Sequence, residues 1–309
     1  MTFDERVKAV SEFGFTERQA RFLVTVMLHG GICVPRQYAR FAGTAYGHKV
    51  NLYFDRLVSM CCAVQTPCVH NRARVYHVRF EPLYRAIGEP HSRNRKPVPA
   101  ARLIDRLMLL DSVIAHPELD WLATSSDKVG FFTVAASMDA SRLPHYTVAG
   151  RLRYFPDHLP IGVNSTREVV FVFLVSNSLS GDLKAFLQRH ATLIGALPKS
   201  TIRFVLPQYA AGLQPTLERV AREQLATSDT EADDMLESGR SRIECEVLPH
   251  CYRHLSPLTK LVRPIVEGVE EGEQEGEHTP ARPQPLQAAY DPDDPAGCAR
   301  DWHRLMNAR

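Results

Sequence analysis

A run of polar side chains between residues 46 and 56 shares one face of a predicted helix. The apolar residues Val50, Phe54 and Leu57 recur at helical spacing and therefore face a core, so the polar residues between them project outward. Asn51 carries an amide shaped for the edge of adenine, and Lys49 carries an ammonium suited to guanine or to phosphate. The pattern favours contact with the bases and backbone of double-stranded DNA.

Basic side chains on both sides of this helix favour the same interpretation. A short helix predicted over residues 35–41 precedes it and presents two arginines and a glutamine to a phosphate backbone. Two more arginines flank the tip of a predicted hairpin, where a wing enters the minor groove. The predicted DNA-contacting residues are Arg36, Gln37, Arg40, Thr44, Tyr46, His48, Lys49, Asn51, Arg56, Arg72 and Arg74.

The elements that position these side chains follow the order of a winged helix-turn-helix. A capping box at Thr16 begins one helix, a second is predicted over residues 35–41, and Thr44 caps a third that reaches about Met60. The hydrophobic period then changes from about 3.6 to 2, which predicts a β-hairpin. The two strands and a closing helix are predicted over residues 62–65, 74–80 and 81–87.

The charge distribution divides the chain into two parts. Residues 1–100 hold 15 basic and seven acidic side chains, a net charge of +8, whereas the remainder carries −6 within a total of +2. A basic module joined to an acidic body is typical of proteins that bind polyanions. The hydrophobic fraction of 44% excludes wholesale disorder, and no apolar stretch approaches the ~20 residues of a membrane span.

The domain organisation follows from shifts in composition. Residues 1–87 form the predicted DNA-binding domain, and residues 88–99, with three prolines, predict an exposed basic linker. An α/β domain for dimerisation or partner binding is predicted over residues 100–266, and an acidic, proline-rich, disordered tail over residues 267–309. In the α/β domain, helices are predicted over residues 100–115, 179–197, 213–226 and 254–266, and strands over residues 130–134, Tyr154 with 159–163, 169–175, 201–206 and 243–248.

A nuclease is the alternative that this second domain suggests. Its predicted order of helix, three strands, helix and strand is that of restriction-endonuclease-like phosphodiesterases. They hold Mg²⁺ with an acid after a proline and with an acid-x-lysine pattern on the next strand. Pro156-Asp157 and Glu168 fit in part, but Val170 stands where the lysine belongs. The sequence therefore predicts a degenerate nuclease fold and no catalytic residue, metal or cofactor.

Two cysteine groups are the other candidates for a metal site. Neither has the CxxC spacing of a zinc knuckle, and a free cysteine also behaves as a small buried hydrophobe. A structural role is favoured, with zinc as the alternative. The groups are Cys61, Cys62, Cys68 and His70, and Cys245, Cys251 and His254.

Several segments carry a resemblance to proteins of mobile elements. FTERQARFL, VPRQYARFAGTAYG, FDRLV, RLIDRLMLLDSVI, RYFPDHLPIGV and FLQRHATLIGALPKSTIRFVLP resemble proteins carried on proteobacterial conjugative and transposable elements. The chain is also similar to the replication-relaxation family of plasmid proteins. The resemblance implies an N-terminal winged helix followed by a restriction-endonuclease-like domain, and it carries over no catalytic residue.

These observations predict a sequence-specific DNA-binding regulator of a bacterial mobile element. The small size of one DNA-binding module favours a homodimer on paired half-sites. The N-terminus has no apolar signal segment and the cysteine number is odd, which predicts a cytoplasmic, nucleoid-associated protein without membrane contact. The alternatives are a metal-dependent nuclease or plasmid replication accessory that uses Asp157 and Glu168, and a scaffold that binds a transposase or relaxase of the same element.

Overall fold

The computed structural model describes residues 1–67, 73–176, 180–227, 241–249 and 252. The chain is mixed α/β with several sheets, and Met1–Thr259 forms one unit. The helices are α1 (Phe3–Ser11), α2 (Glu17–His29), α3 (Pro35–Phe41), α4 (His48–Ser59), α5 (Glu81–Ala86), α6 (Ala100–Ala115), α7 (Ser125–Gly130), α8 (Ser180–Gly195) and α9 (Gln214–Thr227). The strands are β1 (Ile32–Cys33), β2 (Ala63–Pro67), β3 (Arg74–Val78), β4 (Asp120–Leu122), β5 (His145–Val148), β6 (Arg151–Tyr154), β7 (Ile161–Val163), β8 (Val169–Leu174), β9 (Ser200–Pro207) and β10 (Ser241–Leu248).

The N-terminal part combines helices α1–α5 with a small antiparallel sheet in the order β1-β3-β2. The predicted capping box at Thr16 begins α2, and a second capping box between Thr2 and Glu5 begins α1, which the sequence analysis missed. An aromatic cluster fixes α4 in this part. The Tyr38 and Tyr53 rings stack at 4.3 Å, and the Phe54 ring lies 4.4 Å from that of Tyr76.

The C-terminal part contains a five-stranded mixed sheet in the order β10-β9-β8-β7-β4. Strands β8, β9 and β10 are parallel, whereas β7 is antiparallel to both β8 and β4. Strand β8 is almost wholly buried, which confirms the prediction of a strand covered on both faces. Phe171 and Phe173 pack with residues of α8, whereas Val172, with the opposite orientation, packs with residues of α6.

Helix α6 joins the two parts because it is buried on more than one side. Leu110 belongs to the core of the N-terminal part, whereas Leu107 and Met108 pack with β8 and β9 of the large sheet and with β1 of the small one. One hydrophobic cluster thus contains residues from both sheets. No helix in the described ranges is long and apolar enough to cross a bilayer.

The segment predicted as an exposed linker is largely exposed, but one buried residue anchors it to the N-terminal part. A 3₁₀ turn over Arg93–Arg95 buries Asn94, whose Nδ2 donates to the carbonyl oxygens of Met27 at 2.9 Å and Leu28 at 3.2 Å. Gly31 permits this approach, because its φ is +73° and an added Cβ would lie 2.2 Å from the Asn94 carbonyl oxygen. The proline and charged residues of this segment are typical of a linker, and they gave no sign that Asn94 anchors it to the end of α2.

Of the other secondary-structure predictions over the described residues, most are confirmed, one is wrong and some elements were missed. The strand predicted over residues 130–134 is wrong, because a capping box between Thr124 and Asp127 begins α7, which continues into a π-helical turn over Phe131–Ala135. The β5–β6 hairpin and strand β4 were not predicted. The helix predicted over residues 254–266 and the tail over residues 267–309 lie outside the described residues. Helices α3, α5, α6, α8 and α9 and strands β2, β3, β8, β9 and β10 are confirmed, each with ends within a few residues of the prediction.

Candidate nucleic-acid interface

Helix α4 carries the polar face that the sequence singles out. Gly47 is its N-cap, three residues after the Thr44 that was predicted to cap it. The reason is that the Thr44 N–H donates to the Ala39 carbonyl oxygen at 2.9 Å and so belongs to the end of α3. No side chain caps α4, and the backbone of Gly47 has space around it, with no atom within 4 Å of an added Cβ.

The predicted contact residues at the start of α4 are all on the surface. Tyr46 is 62% exposed, and His48, Lys49 and Asn51 are exposed as well. None of their side chains makes a hydrogen bond or an ion pair within the described part of the chain. This face is therefore open to an external partner, while the opposite face of the helix lies in the aromatic core.

Sequence reasoning missed Leu52, which is 52% exposed on the same helix. Its position outside the buried spacing of Val50, Phe54 and Leu57 was the available signal, since a leucine off the buried face of an amphipathic helix remains in solvent. An exposed leucine beside Asn51 is suited to contact a thymine methyl group.

Two residues of α3 that were predicted to contact DNA, Arg36 and Gln37, do not belong to this face. Gln37 is fully buried, accepting from the Val34 N–H at 3.0 Å and donating to the Leu107 carbonyl oxygen at 2.9 Å. Arg36 donates to both carboxylate oxygens of Asp111, at 2.8 and 2.7 Å. Both side chains turn towards α6, because α6 packs on α3 and carries polar groups that need partners.

The Arg36–Asp111 pair is an ion pair between a half-buried arginine of α3 and a buried aspartate of α6. Asp111 is 0% exposed, and the Tyr252 hydroxyl donates to the same carboxylate. The Arg36 guanidinium also lies over the Tyr252 ring, 5.6 Å from its centroid. These contacts fix α3, and hence the turn into α4, against the α/β part.

The remaining predicted residues lie around α4 with different degrees of freedom. Arg40 and Thr44 are exposed, and Arg74 is exposed on β3 with Nη1 donating to Gln65 Oε1 at 3.2 Å. Arg56 is half-buried and donates to the Gly14 carbonyl oxygen at 2.8 Å, so it braces α4 rather than facing outward. Arg72, together with the hairpin tip, lies outside the described residues.

The two carboxylates of the nuclease alternative do not come together. Asp157 precedes β7 at the end where Ile161 pairs with Phe171, whereas Glu168 lies at the opposite end, where Val163 pairs with Val169. Glu168 accepts from Thr201 Oγ1 at 2.6 Å and from Asn164 Nδ2 at 3.0 Å.

Asp157 is held instead by the buried ring of His190. Its carboxylate is hydrogen-bonded to His190 Nε2, and the imidazole packs 4.7 Å from the Phe186 ring. Burial acts most strongly on Asp157 and would raise its pKa, but the hydrogen bond and charge of His190, the charge of Lys128 and the Leu159 N–H together outweigh burial and lower that pKa.

The described part of the chain contains no metal site of the kind that the nuclease and zinc alternatives need. No group of three His, Cys, Asp or Glu side chains there is arranged to hold a metal ion. Cys61, Cys62 and Cys245 form no disulfide bond among the described residues, and the other members of the two cysteine groups lie outside those residues.

Comparison with known proteins adds no relative: no protein-family model, curated protein or solved structure matches the chain.

Proposed function

We propose that this chain binds double-stranded DNA in a sequence-specific manner through the exposed face of α4. The observation that carries the proposal is that Tyr46, His48, Lys49 and Asn51 are all exposed and have no side-chain partner within the described residues. Side chains of these types satisfy phosphate oxygens and base edges in a major groove. Arg40 on α3 and Arg74 on β3 are exposed basic side chains of the same N-terminal part.

The order of the N-terminal elements supports a winged helix-turn-helix. Helix α2 is followed by β1, α3 and α4 and then by the β2–β3 hairpin, and β1 completes a three-stranded sheet with that hairpin. In this arrangement α4 is the recognition helix and the hairpin is the wing. Gln37 and Arg36 act as positioning residues, because they hold α3 on α6 while α4 faces outward.

The biological role belongs to the same proposal. The resemblance to proteins of plasmids and transposable elements supports a transcriptional regulator of a bacterial mobile element that acts as a homodimer. A dimer provides the paired half-sites that a module of this size needs for tight binding.

The decisive experiment measures DNA affinity by fluorescence anisotropy, using the region upstream of the chain's own gene as the duplex. Lys49→Ala should weaken binding to specific and random duplexes alike and reduce the slope of log affinity against log salt by about 1. Asn51→Ala should cost about tenfold or more on the specific duplex and little on random DNA. The matched control is Lys8→Ala, because Lys8 is also an exposed lysine but lies on α1, away from α4 in the sequence.

A backbone probe tests the docking geometry separately. Gly47→Val has open space in the free protein and should leave its stability nearly unchanged. The added side chain should lower DNA affinity if the start of α4 approaches a phosphate. Unchanged DNA binding in Lys49→Ala, Asn51→Ala and Gly47→Val together would remove α4 as the recognition helix.

We further propose that the α/β part has a degenerate restriction-endonuclease-like fold without nuclease activity. The order α6, β4, β7, β8, α8, β9 supports the fold, and the separate hydrogen bonds of Asp157 and Glu168 support the loss of catalysis. Supercoiled plasmid incubated with Mg²⁺ or Mn²⁺ should remain intact. Nicking that disappears in Asp157→Ala would establish the nuclease instead.

A further inference from the structure

A cavity of about 1120 Å³ lies between the N-terminal part and the α/β part, away from α4. The N-terminal part contributes the end of α2 and residues 89–99 to its lining, and the α/β part contributes residues of α6, β6, α7, the approach to β7, β8 and α8. Its volume matches or exceeds that of pockets that bind drug-sized molecules. Both halves of the fold thus contribute to a single concave site.

The lining of this cavity is strongly basic. Seven lysine and arginine residues line it, against four aspartate and glutamate residues. Two of the acids are already engaged, since Asp105 pairs with Arg102 at 3.2 Å and Asp157 pairs with His190. The cavity therefore has an excess of positive charge that its own carboxylates do not neutralise.

Several of these cations have no partner of their own. The side chains of Arg93, Lys96, Arg153 and Arg189 make no hydrogen bond or ion pair within the described ranges, and all four are exposed. A guanidinium that lines a cavity without a partner offers a planar set of donors to an anion. Because these residues come from three separate segments, only the folded chain brings them to one cavity.

The cations also repel one another. Partial desolvation by the cavity wall and the charge of Arg102 lower the pKa of Arg93, although part of its side chain stays exposed, and burial and the charge of Arg93 lower the pKa of Arg106. Lys128 also lines this cavity with 1% exposure, and burial lowers its pKa to about 8. Like charges held together in this way are stabilised by a bound anion.

The cavity wall also has an apolar portion, to which Leu109, Phe173, Leu174 and Phe186 contribute. A bare inorganic anion would leave that portion, and most of the volume, unused. A ligand with an anionic end and an apolar or aromatic end matches both portions.

We propose that this cavity binds a phosphorylated small molecule of nucleotide size, with its phosphates near Arg93 and Lys128 and its apolar group against the Phe173–Phe186 wall. Arginine forks recognise phosphate oxygens in pairs, and the dianionic charge of a phosphate matches the surplus of cations. The site is distinct from the α4 face, so it adds a second ligand to the proposed DNA-binding activity.

Isothermal titration calorimetry on the full chain tests this assignment with ADP, pyrophosphate and adenosine as probes. ADP should bind, pyrophosphate should bind more weakly and compete with it, and adenosine alone should bind weakest. Arg93→Gln should weaken the binding of ADP and pyrophosphate about tenfold or more, because it removes a cation from the phosphate site. The fold should stay intact, since the Arg93 side chain has no partner within the described residues.

A matched pair on strand β6 provides the control. Arg153 lines the cavity, whereas Arg151 lies two residues away on the same exposed strand and does not. Arg153→Gln should lower ADP affinity, and Arg151→Gln should not. Lys49→Ala, which tests DNA binding, should leave ADP affinity unchanged, so the two activities succeed or fail independently.

The assignment is overturned if neither ADP nor pyrophosphate binds, or if Arg93→Gln and Arg153→Gln bind them as the unsubstituted chain does. It is also overturned if a single-stranded oligonucleotide binds at the same arginines with affinity that rises with length while ADP does not bind. That result would assign the cavity to a nucleic-acid strand.

Discussion

Replacing Lys128 with methionine should stabilise the protein at neutral pH while weakening phosphate binding. The Lys128 ammonium is 1% exposed and lies over the Phe155 ring, 5.0 Å from its centroid, with its Nζ donating to the Leu159 carbonyl oxygen. Burial lowers the pKa of Lys128 from 10.5 to about 8, with smaller effects from neighbouring charges. The charged form is therefore less stable in the folded chain than in the unfolded chain.

The size of this destabilisation follows from the two pKa values. The interval between 10.5 and about 8 corresponds to about 3 kcal/mol at ~1.36 kcal/mol per pH unit. The penalty is fully present below pH 8 and disappears as the pH rises through 10.5, because the unfolded lysine then also loses its proton. At pH 10 less than about 1 kcal/mol remains.

Methionine has a similar length and carries no charge. Its cost is the lost hydrogen bond to the Leu159 carbonyl, about 1 kcal/mol at any pH. Lys128→Met should therefore be about 2 kcal/mol more stable than the unsubstituted chain at pH 7, and about equally stable at pH 10. A residue kept at such a cost is expected at a binding site rather than in a purely structural core.

Urea unfolding followed by circular dichroism at pH 7 and pH 10 measures both free energies. The difference between Lys128→Met and the unsubstituted chain should change by about 2.5 kcal/mol between the two pH values. Lys184→Met, at an exposed position on α8, should show no such change. A difference that is the same at both pH values would refute the conclusion that Lys128 is a buried cation.

Three further substitutions test the contacts that hold the two parts together. Burial lowers the pKa of His29 to about 3, so below pH 6.5 the unfolded chain binds a proton that the folded chain does not bind. The unsubstituted chain should therefore lose about 2.5 kcal/mol more free energy of unfolding than His29→Phe between pH 7.5 and pH 4.5, measured by urea unfolding. Arg36→Leu leaves the carboxylate of Asp111 buried without its cation and should lower the free energy of unfolding by about 3 kcal/mol, measured in urea; an effect below about 1 kcal/mol would contradict the buried-pair geometry. Gly31→Ala places a Cβ 2.2 Å from the Asn94 carbonyl oxygen at a positive φ and should cost about 3 kcal/mol or more in the same assay, whereas Gly43→Ala, at φ +62° with open space, should cost about 1 kcal/mol.

Strong local signals account for the parts of the fold that the sequence predicted. The amphipathic spacing of α4, the capping box of α2 and the continuous apolar run of β8 each depend on neighbouring residues alone. The exposed face of α4 was predictable for the same reason, since the buried spacing of Val50, Phe54 and Leu57 leaves the other positions in solvent.

The contacts that sequence reasoning missed are long-range. Gln37 and Arg36 have the same local pattern as an exposed basic helix, and only their partners on α6, some seventy residues later in the chain, turn them inward. The polar segment around Asn94 likewise reads as a linker until the carbonyl groups at the end of α2 receive its amide. The basic cavity is assembled from segments that no spacing rule connects, so its residues could not be found by local pattern.

Helix α6 has a consequence for how this architecture can be rearranged. Truncating the chain before residue 100 would expose Ile32, Val34 and Val75 to solvent, because these residues pack in one cluster with α6 and the large sheet. The first 87 residues are therefore not a detachable head: they should unfold together with the rest in one cooperative transition. Fusing residues 1–87 to another domain would give a folded protein only if the fusion also included α6.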